Sequence, residues 1–111
     1  MVLLGFTKLK DKLLDGSKTQ TIRKPRKIPL KVGDKLYIYW KLRTKQCQKL
    51  GEAKVTKIVR KCVAAMTHQD AVLDGFTSLQ ELALALYAMH PDVNEFSEFD
   101  IITFEWTKRE V

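Results

Sequence analysis

Between Lys35 and Leu42 the chain reads KLYIYWKL, with Leu36, Ile38, Trp40 and Leu42 on one parity and Lys35, Tyr37, Tyr39 and Lys41 on the other. Successive side chains of an extended chain point to opposite sides, so this stretch predicts a β-strand with one buried face and one aromatic, basic face. A helix cannot use a period of two. The fold must therefore contain a sheet whose apolar side is covered. Lys31-Val32-Gly33-Asp34, just before it, reads as a turn. Residues 52–64 place Ala53, Val55, Val59 and Val63 at even spacing, but Lys57 interrupts the apolar parity and Ile58 faces the other way. A long strand with a bulge or bend near 56–58 is predicted. The β-branched TQTIR (19–23) suits a short strand. A last strand is predicted over Ile101–Thr107, with Ile102, Phe104 and Trp106 on the core side.

Other segments carry helical spacing. Phe6, Leu9, Leu13 and Leu14 predict a helix from about Lys8 to Asp15, with Thr7 as its cap and Gly16 ending it. HQDAVLDG reads as a short helical turn stopped by Gly75. Ser78-Leu79-Gln80-Glu81 fits a capping box. Leu79, Leu82, Ala83, Leu86 and Met89 continue it as a helix that ends before Pro91. Pro25 and Pro29 frame a basic loop over 24–29, and RTKQCQKLG is a polar connection. The predicted order is helix, strand, strand, strand, two helical pieces, strand. That order suits a single α+β domain over residues 1–111, a small, partly open mixed β-barrel with covering helices.

Charge is distributed unevenly. Residues 1–61 hold 18 Lys/Arg against 4 Asp/Glu, and residues 62–111 hold 2 against 9. The halves thus carry +14 and −7 within a net +7. A positive face of this strength attracts polyanions. No apolar run is long enough for a membrane span, and MVLLGFTKLKDKLL lacks the layout of a signal peptide. Cys47 and Cys62 form no CxxC pair and are expected reduced, which suits a cytoplasmic setting. His68 and His90 lie far apart with no paired ligands, so no metal or other cofactor is expected. A monomer is the expected state.

Four segments taken together, LLDGSKTQTIR (13–23), LKVGDKLYIYW (30–40), GEAKVTKI (51–58) and DGFTSLQEL (74–82), resemble the ASCH domain family, a branch of the PUA-like β-barrels. The resemblance spans residues 3–107. It implies a PUA-like barrel with a cleft between the first helix, the TIR strand and the helical insertion, and a role in binding RNA or a nucleotide-like ligand. One branch of the family hydrolyses N4-acylated cytidines with a threonine, a lysine and a glutamate. By similarity these fall on Thr21, Lys18 and Asp74, where the shorter aspartate replaces glutamate. A nuclease role, also reported among such relatives, needs the same basic cleft.

The residues support these readings unequally. A threonine is a weak nucleophile unless a base takes its proton, and a lysine is a base only when burial or nearby cations favour its neutral form. In a regular strand residues 18 and 21 point apart, so they converge only if the chain turns after Gly16. Arg23 can clamp a phosphate or carboxylate in two places. Lys24, Arg26 and Lys27 suit phosphate contacts without base reading. Thr19 joins Lys18 and Thr21 at the corner as a candidate contact. Tyr37 and Arg43 belong to an aromatic, basic stretch suited to stacking bases. The leading expectation is an RNA- or nucleotide-binding module around Lys18, Thr21 and Arg23. The alternatives are a small amidohydrolase using Lys18, Thr21 and Asp74, and a basic domain that binds an acidic protein.

Overall fold

In a computed structural model of the chain, residues 2–6, 13, 16 and 18–109 are described. Five strands form one mixed sheet: β1 (Val2–Phe6), β2 (Gln20–Arg23), β3 (Lys35–Trp40), β4 (Gln48–Cys62) and β5 (Glu98–Arg109). Their spatial order is β1-β3-β4-β5-β2. β1 runs parallel to β3, and the other pairings are antiparallel. Two helices, α1 (His68–Leu73) and α2 (Leu79–Met89), connect β4 to β5 after a short 3-10 turn at Val63–Ala65. The sheet curls into a half-barrel and the fold is α+β, as the sequence predicts.

The helix predicted over Lys8–Asp15 lies outside the described residues, apart from Leu13, which is buried in the core. Phe6, assigned by its spacing to that helix, ends β1 instead. β1 is the strand that the sequence reading lacks. It forms because Leu4 and Phe6 alternate into the barrel beside Leu36 and Ile38, and Lys41 N–H donates to the Phe6 carbonyl at 2.8 Å.

The predicted bulge is present, as a register shift between Val55 and Lys57. Val55 is also tied to the 31–34 turn. Its N–H donates to the Asp34 carbonyl at 2.9 Å, and its carbonyl accepts from Gly33 N–H at 2.8 Å. Gly33 holds φ +96, a left-handed conformation that glycine adopts without strain. The extra residue flips the parity of β4, which gives the curling sheet a core on each side. Inside the half-barrel lie Leu4, Phe6, Leu36, Ile38, Ala53, Val55, Ile102 and Phe104. On the outer face, Ile22, Phe99 and Ile101 pack under Ala71, Leu82 and Leu86 of the helices. β5 is buried on both faces over residues 99–102.

The capping box at Ser78 is half formed. Ser78 Oγ accepts from Glu81 N–H at 3.1 Å, but the Glu81 carboxylate takes the Thr77 hydroxyl at 2.6 Å. A fully reciprocal box starts α1. Thr67 Oγ1 accepts from Asp70 N–H at 3.2 Å, and Asp70 Oδ2 accepts from Thr67 N–H at 2.9 Å.

Candidate ligand-binding site

The half-barrel leaves a seam between its edge strands β1 and β2, and the corner before β2 lies beside it. Gly16 holds φ +78 and turns the chain there. Residues 18 and 19 then lie against β5: Trp106 Nε1 donates to the Lys18 carbonyl at 3.0 Å, and Phe104 N–H donates to the Thr19 carbonyl at 2.8 Å. In β2 the alternation sends Gln20 and Ile22 to the helix-covered face and Thr21 and Arg23 towards the seam. The Arg23 guanidinium bridges the two edges. Its Nε donates to Thr21 Oγ1 at 3.0 Å, its Nη2 donates to the Gly5 carbonyl of β1 at 2.8 Å, and it stacks over the Phe6 ring at 4.8 Å.

The other wall comes from the end of α1. Gly75, at φ +97, lets the helix close in a paired motif: Phe76 N–H donates to the Ala71 carbonyl at 2.9 Å, and Gly75 N–H to the Val72 carbonyl at 3.0 Å. Asp74 is thereby aimed at the corner. Lys18 Nζ donates to Asp74 Oδ1 at 3.0 Å and to the Asp74 carbonyl at 2.9 Å. Both residues are buried, at 4% and 8% exposure. One ammonium thus neutralises the carboxylate and satisfies a carbonyl at the helix end. Burial pushes the Asp74 carboxyl above its ordinary value, against the opposing pull of Lys18 and Arg23. Burial also lowers the Arg23 guanidinium, with Asp74 pulling it back up and Arg26 adding to the lowering.

Between these walls is a pocket of about 270 Å³. Lys18, Thr21, Arg23, Lys24 and Asp74 line it, with Phe6, Phe76, Met89 and His90 as its apolar and aromatic side. Among the described residues no cluster of His, Cys, Asp and Glu is arranged to hold a metal.

No protein-family model and no curated protein sequence matches the chain. Solved structures do. An ASCH domain from Lactobacillus crispatus superposes with a TM-score of 0.79, at 12% identity, covering 97% of this chain and 80% of that one. The chain has the ASCH-domain fold. A DUF984-family protein from Enterococcus faecalis superposes with a TM-score of 0.72, at 18% identity, covering 99% of this chain and 81% of that one.

Within this ASCH fold the predicted residues separate into groups. Lys18, Thr21, Arg23, Lys24 and Asp74 share the pocket. Thr19 contributes its carbonyl to β5. Lys24 also pairs with Asp92 at 2.9 Å in an exposed bridge. Arg26 and Lys27 are exposed in the loop that follows. Tyr37 and Arg43 do not line the pocket. Tyr37 is half-buried on β3 with the Lys35 and Lys49 ammonium groups 5.8 and 5.2 Å from its ring centre, and Arg43 lies exposed in the β3–β4 turn at φ +69. Alternation predicts Tyr37 on the outward face of β3, but nothing local to β3 reveals that the pocket opens elsewhere. The wall residues Phe76, Met89 and His90 went unselected by sequence. Phe76 had a signal, since an apolar residue after a helix-ending glycine is the expected partner of that cap.

Proposed function

We propose that this ASCH-fold domain binds RNA or a nucleotide-like ligand by holding one base in the seam pocket. The observation that carries the reading is the pairing, in one hollow, of a buried Lys18–Asp74 pair and a guanidinium with the rings of Phe6 and Phe76. A base offers a flat apolar face and an edge of donors and acceptors. Phe76 suits the face. Asp74 accepts from an exocyclic amine, and Arg23 donates to a ring carbonyl or nitrogen. Lys24 at the rim, followed by the exposed Arg26 and Lys27, suits the phosphates without reading sequence. The volume, about 270 Å³, admits a base or small nucleoside and little more. With about six phosphates engaged, each adding ~0.7 to the slope for a single strand, affinity for single-stranded RNA falls roughly 300-fold between 50 and 200 mM salt. Anisotropy titration of a labelled oligonucleotide across that range tests it. Absence of binding at the low-salt end, or binding indifferent to salt, counts against the reading.

A second reading is favoured by one contact. Arg23 Nε donates to Thr21 Oγ1, which favours a developing alkoxide and leaves the hydroxyl proton for a base. In an amidohydrolase acting on acylated cytidine, Thr21 would attack the acyl carbon. Lys18, whose ammonium donates two hydrogen bonds to Asp74, would first have to give a proton to the Asp74 carboxylate; its neutral amine would then take the threonine proton and pass it to the departing N4 amine as the acyl C–N bond breaks, and water would release the acyl group from Thr21. Turnover of an N4-acylated cytidine that Thr21→Val abolishes would support this reading. Turnover that survives would remove Thr21 from it.

A further inference from the structure

The sequence marks Lys57 as a break in the apolar parity of β4, and the seam pocket does not use it. The structure gives it a place. The bulge sets Lys57 opposite Thr103 of β5, and Thr103 opposite Gln20 of β2, so the three form one polar row across the helix-covered face. Beside α1 this row borders a second hollow of about 360 Å³, shared with Lys61 and Asp70. Lys61 Nζ is paired with Asp70 Oδ2 at 3.0 Å. Lys57 is exposed and forms no ion pair with a described residue, so the hollow keeps a net positive charge. Gln20 is 3% exposed, and its amide nitrogen donates to the Asp70 carbonyl at 3.0 Å. Its Oε1 accepts from no described group, yet no fully enclosed side-chain nitrogen or oxygen among the described residues lacks a partner, so Oε1 reaches the hollow.

We infer that this second hollow is a phosphate subsite for the strand whose base enters the seam pocket. The inference rests on the reading of that pocket as a base site. The two hollows back onto the same pieces of chain. Gln20 faces one and its neighbour Thr21 the other. Asp70 faces one and Asp74, four residues on, the other. β2 is an edge strand of the sheet, so the two hollows flank one edge, which a single nucleic-acid strand can round. Lys57 and the Thr103 hydroxyl offer donors to a phosphodiester. Gln20 Oε1 offers an acceptor to the adjoining sugar hydroxyl.

The test compares the intact protein with Lys57→Ala and with a control, Lys45→Ala, an exposed cation of the β3–β4 turn. Each is titrated with a short single-stranded RNA over 50 to 200 mM salt, with a nucleoside, and with inorganic phosphate. One phosphate contact accounts for ~0.7 of the salt slope, so Lys57→Ala loses about 2.6-fold less affinity across that range than wild type does. Nucleoside affinity stays the same, and Lys45→Ala keeps the wild-type slope. An unchanged slope in Lys57→Ala, with wild type binding RNA, overturns the subsite and leaves the seam pocket standing. Phosphate binding that depends on Lys57 while RNA binding does not reassigns the hollow to a free anion and also overturns the proposal. If wild type binds neither nucleoside nor RNA, the seam-pocket reading falls and the subsite falls with it.

Discussion

Lys18→Met removes the ammonium at the centre of the site while keeping most of the side-chain volume beside Phe6. Asp74 then keeps a buried carboxyl with no partner at 3.0 Å, although Arg23 still faces it. Deleting one member of a buried ion pair costs about 3–5 kcal/mol, because the remaining charge is left without compensation. Arg23 supplies part of that compensation, so ~2–4 kcal/mol is expected at neutral pH, against a total stability of ~5–15 kcal/mol for a domain. The loss depends on pH in a defined direction. Burial already holds the Asp74 carboxyl above its ordinary value while Lys18 and Arg23 pull it down. Without Lys18 it moves further up. Between the unfolded value, about 3.9, and the raised folded one, the native carboxyl keeps a proton that the unfolded chain has released, so stability falls as pH rises. The deficit relative to wild type is therefore small in acid, where the carboxyl is protonated in both proteins, and grows as pH rises through the raised folded value, and the comparison at each pH cancels the other carboxylates. Urea unfolding followed by tryptophan fluorescence measures the deficit at each pH. In Lys18→Met/Asp74→Asn neither charge of the pair remains, so the pH dependence of the deficit disappears and the two losses are less than additive. A variant within ~0.5 kcal/mol of wild type at about pH 8, or an equal deficit there and in acid, would refute the claim that this pair fastens α1 to the corner before β2.

Asp70 titrates in the opposite sense. Burial raises its carboxyl, but Thr67 N–H, Lys61 and the Thr67 hydroxyl together hold it below the ordinary value. Its contribution is present above the unfolded value and is lost as pH falls through the folded one. Asp70→Asn should therefore destabilise by about 1 kcal/mol near neutrality and by less in acid, read from urea midpoints at each pH. Gly51→Ala drives a methyl into the Lys108 carbonyl, so β4 and β5 must separate locally; a loss of more than about 2 kcal/mol in the same assay is expected. Phe76→Ala removes the apolar wall of the pocket and should weaken nucleoside binding ~5- to 100-fold, about 1–3 kcal/mol for one stacked base, with the RNA salt slope unchanged. Calorimetric titration checks the first part and anisotropy the second.

Where the pattern is local the sequence was legible. Period two marked β3, and broken parity at Lys57 and Ile58 marked the bulge in β4. Glycine and proline bounded α1 and α2. β1 escaped because its signal lies elsewhere in the chain. VLLGF is too short to show a period, and it becomes a strand only because β3, some thirty residues on, offers a parallel edge. The capping box at Ser78 has the expected letters, yet Glu81 takes the Thr77 hydroxyl instead. The reciprocal box at Thr67 uses aspartate in place of the expected Glu or Gln. The charge split between the halves was real but did not specify one place. Lys35, Lys49 and Lys54 lie along β3 and β4, away from the seam, and among the described residues of the basic half Lys18, Arg23 and Lys24 are the cations that line the pocket. Net charge fixes the sign of the field over the surface, and strand parity decides which cations converge.

Arg23 explains why the pocket lies at the seam. A half-barrel leaves β1 and β2 as unpaired edges, and unpaired edges invite association with another chain. Here no ladder joins them. One guanidinium spans the gap, taking the Gly5 carbonyl on one side and the Thr21 hydroxyl on the other. A side-chain bridge holds the edges without filling the space between them, whereas a continued ladder would close it. The same guanidinium lies over Phe6 and faces Asp74, so the group that spans the edges also supplies the pocket's charge. Arg23→Lys separates these tasks. Lysine keeps a cation near the pocket but lacks the planar fork that serves two acceptors at once. A stability loss of about 1–2 kcal/mol with nucleoside affinity retained would assign Arg23 chiefly to the edges. Lost affinity at unchanged stability would assign it to the ligand. Loss of neither would mean that the bridge is dispensable and that something else holds β1 against β2.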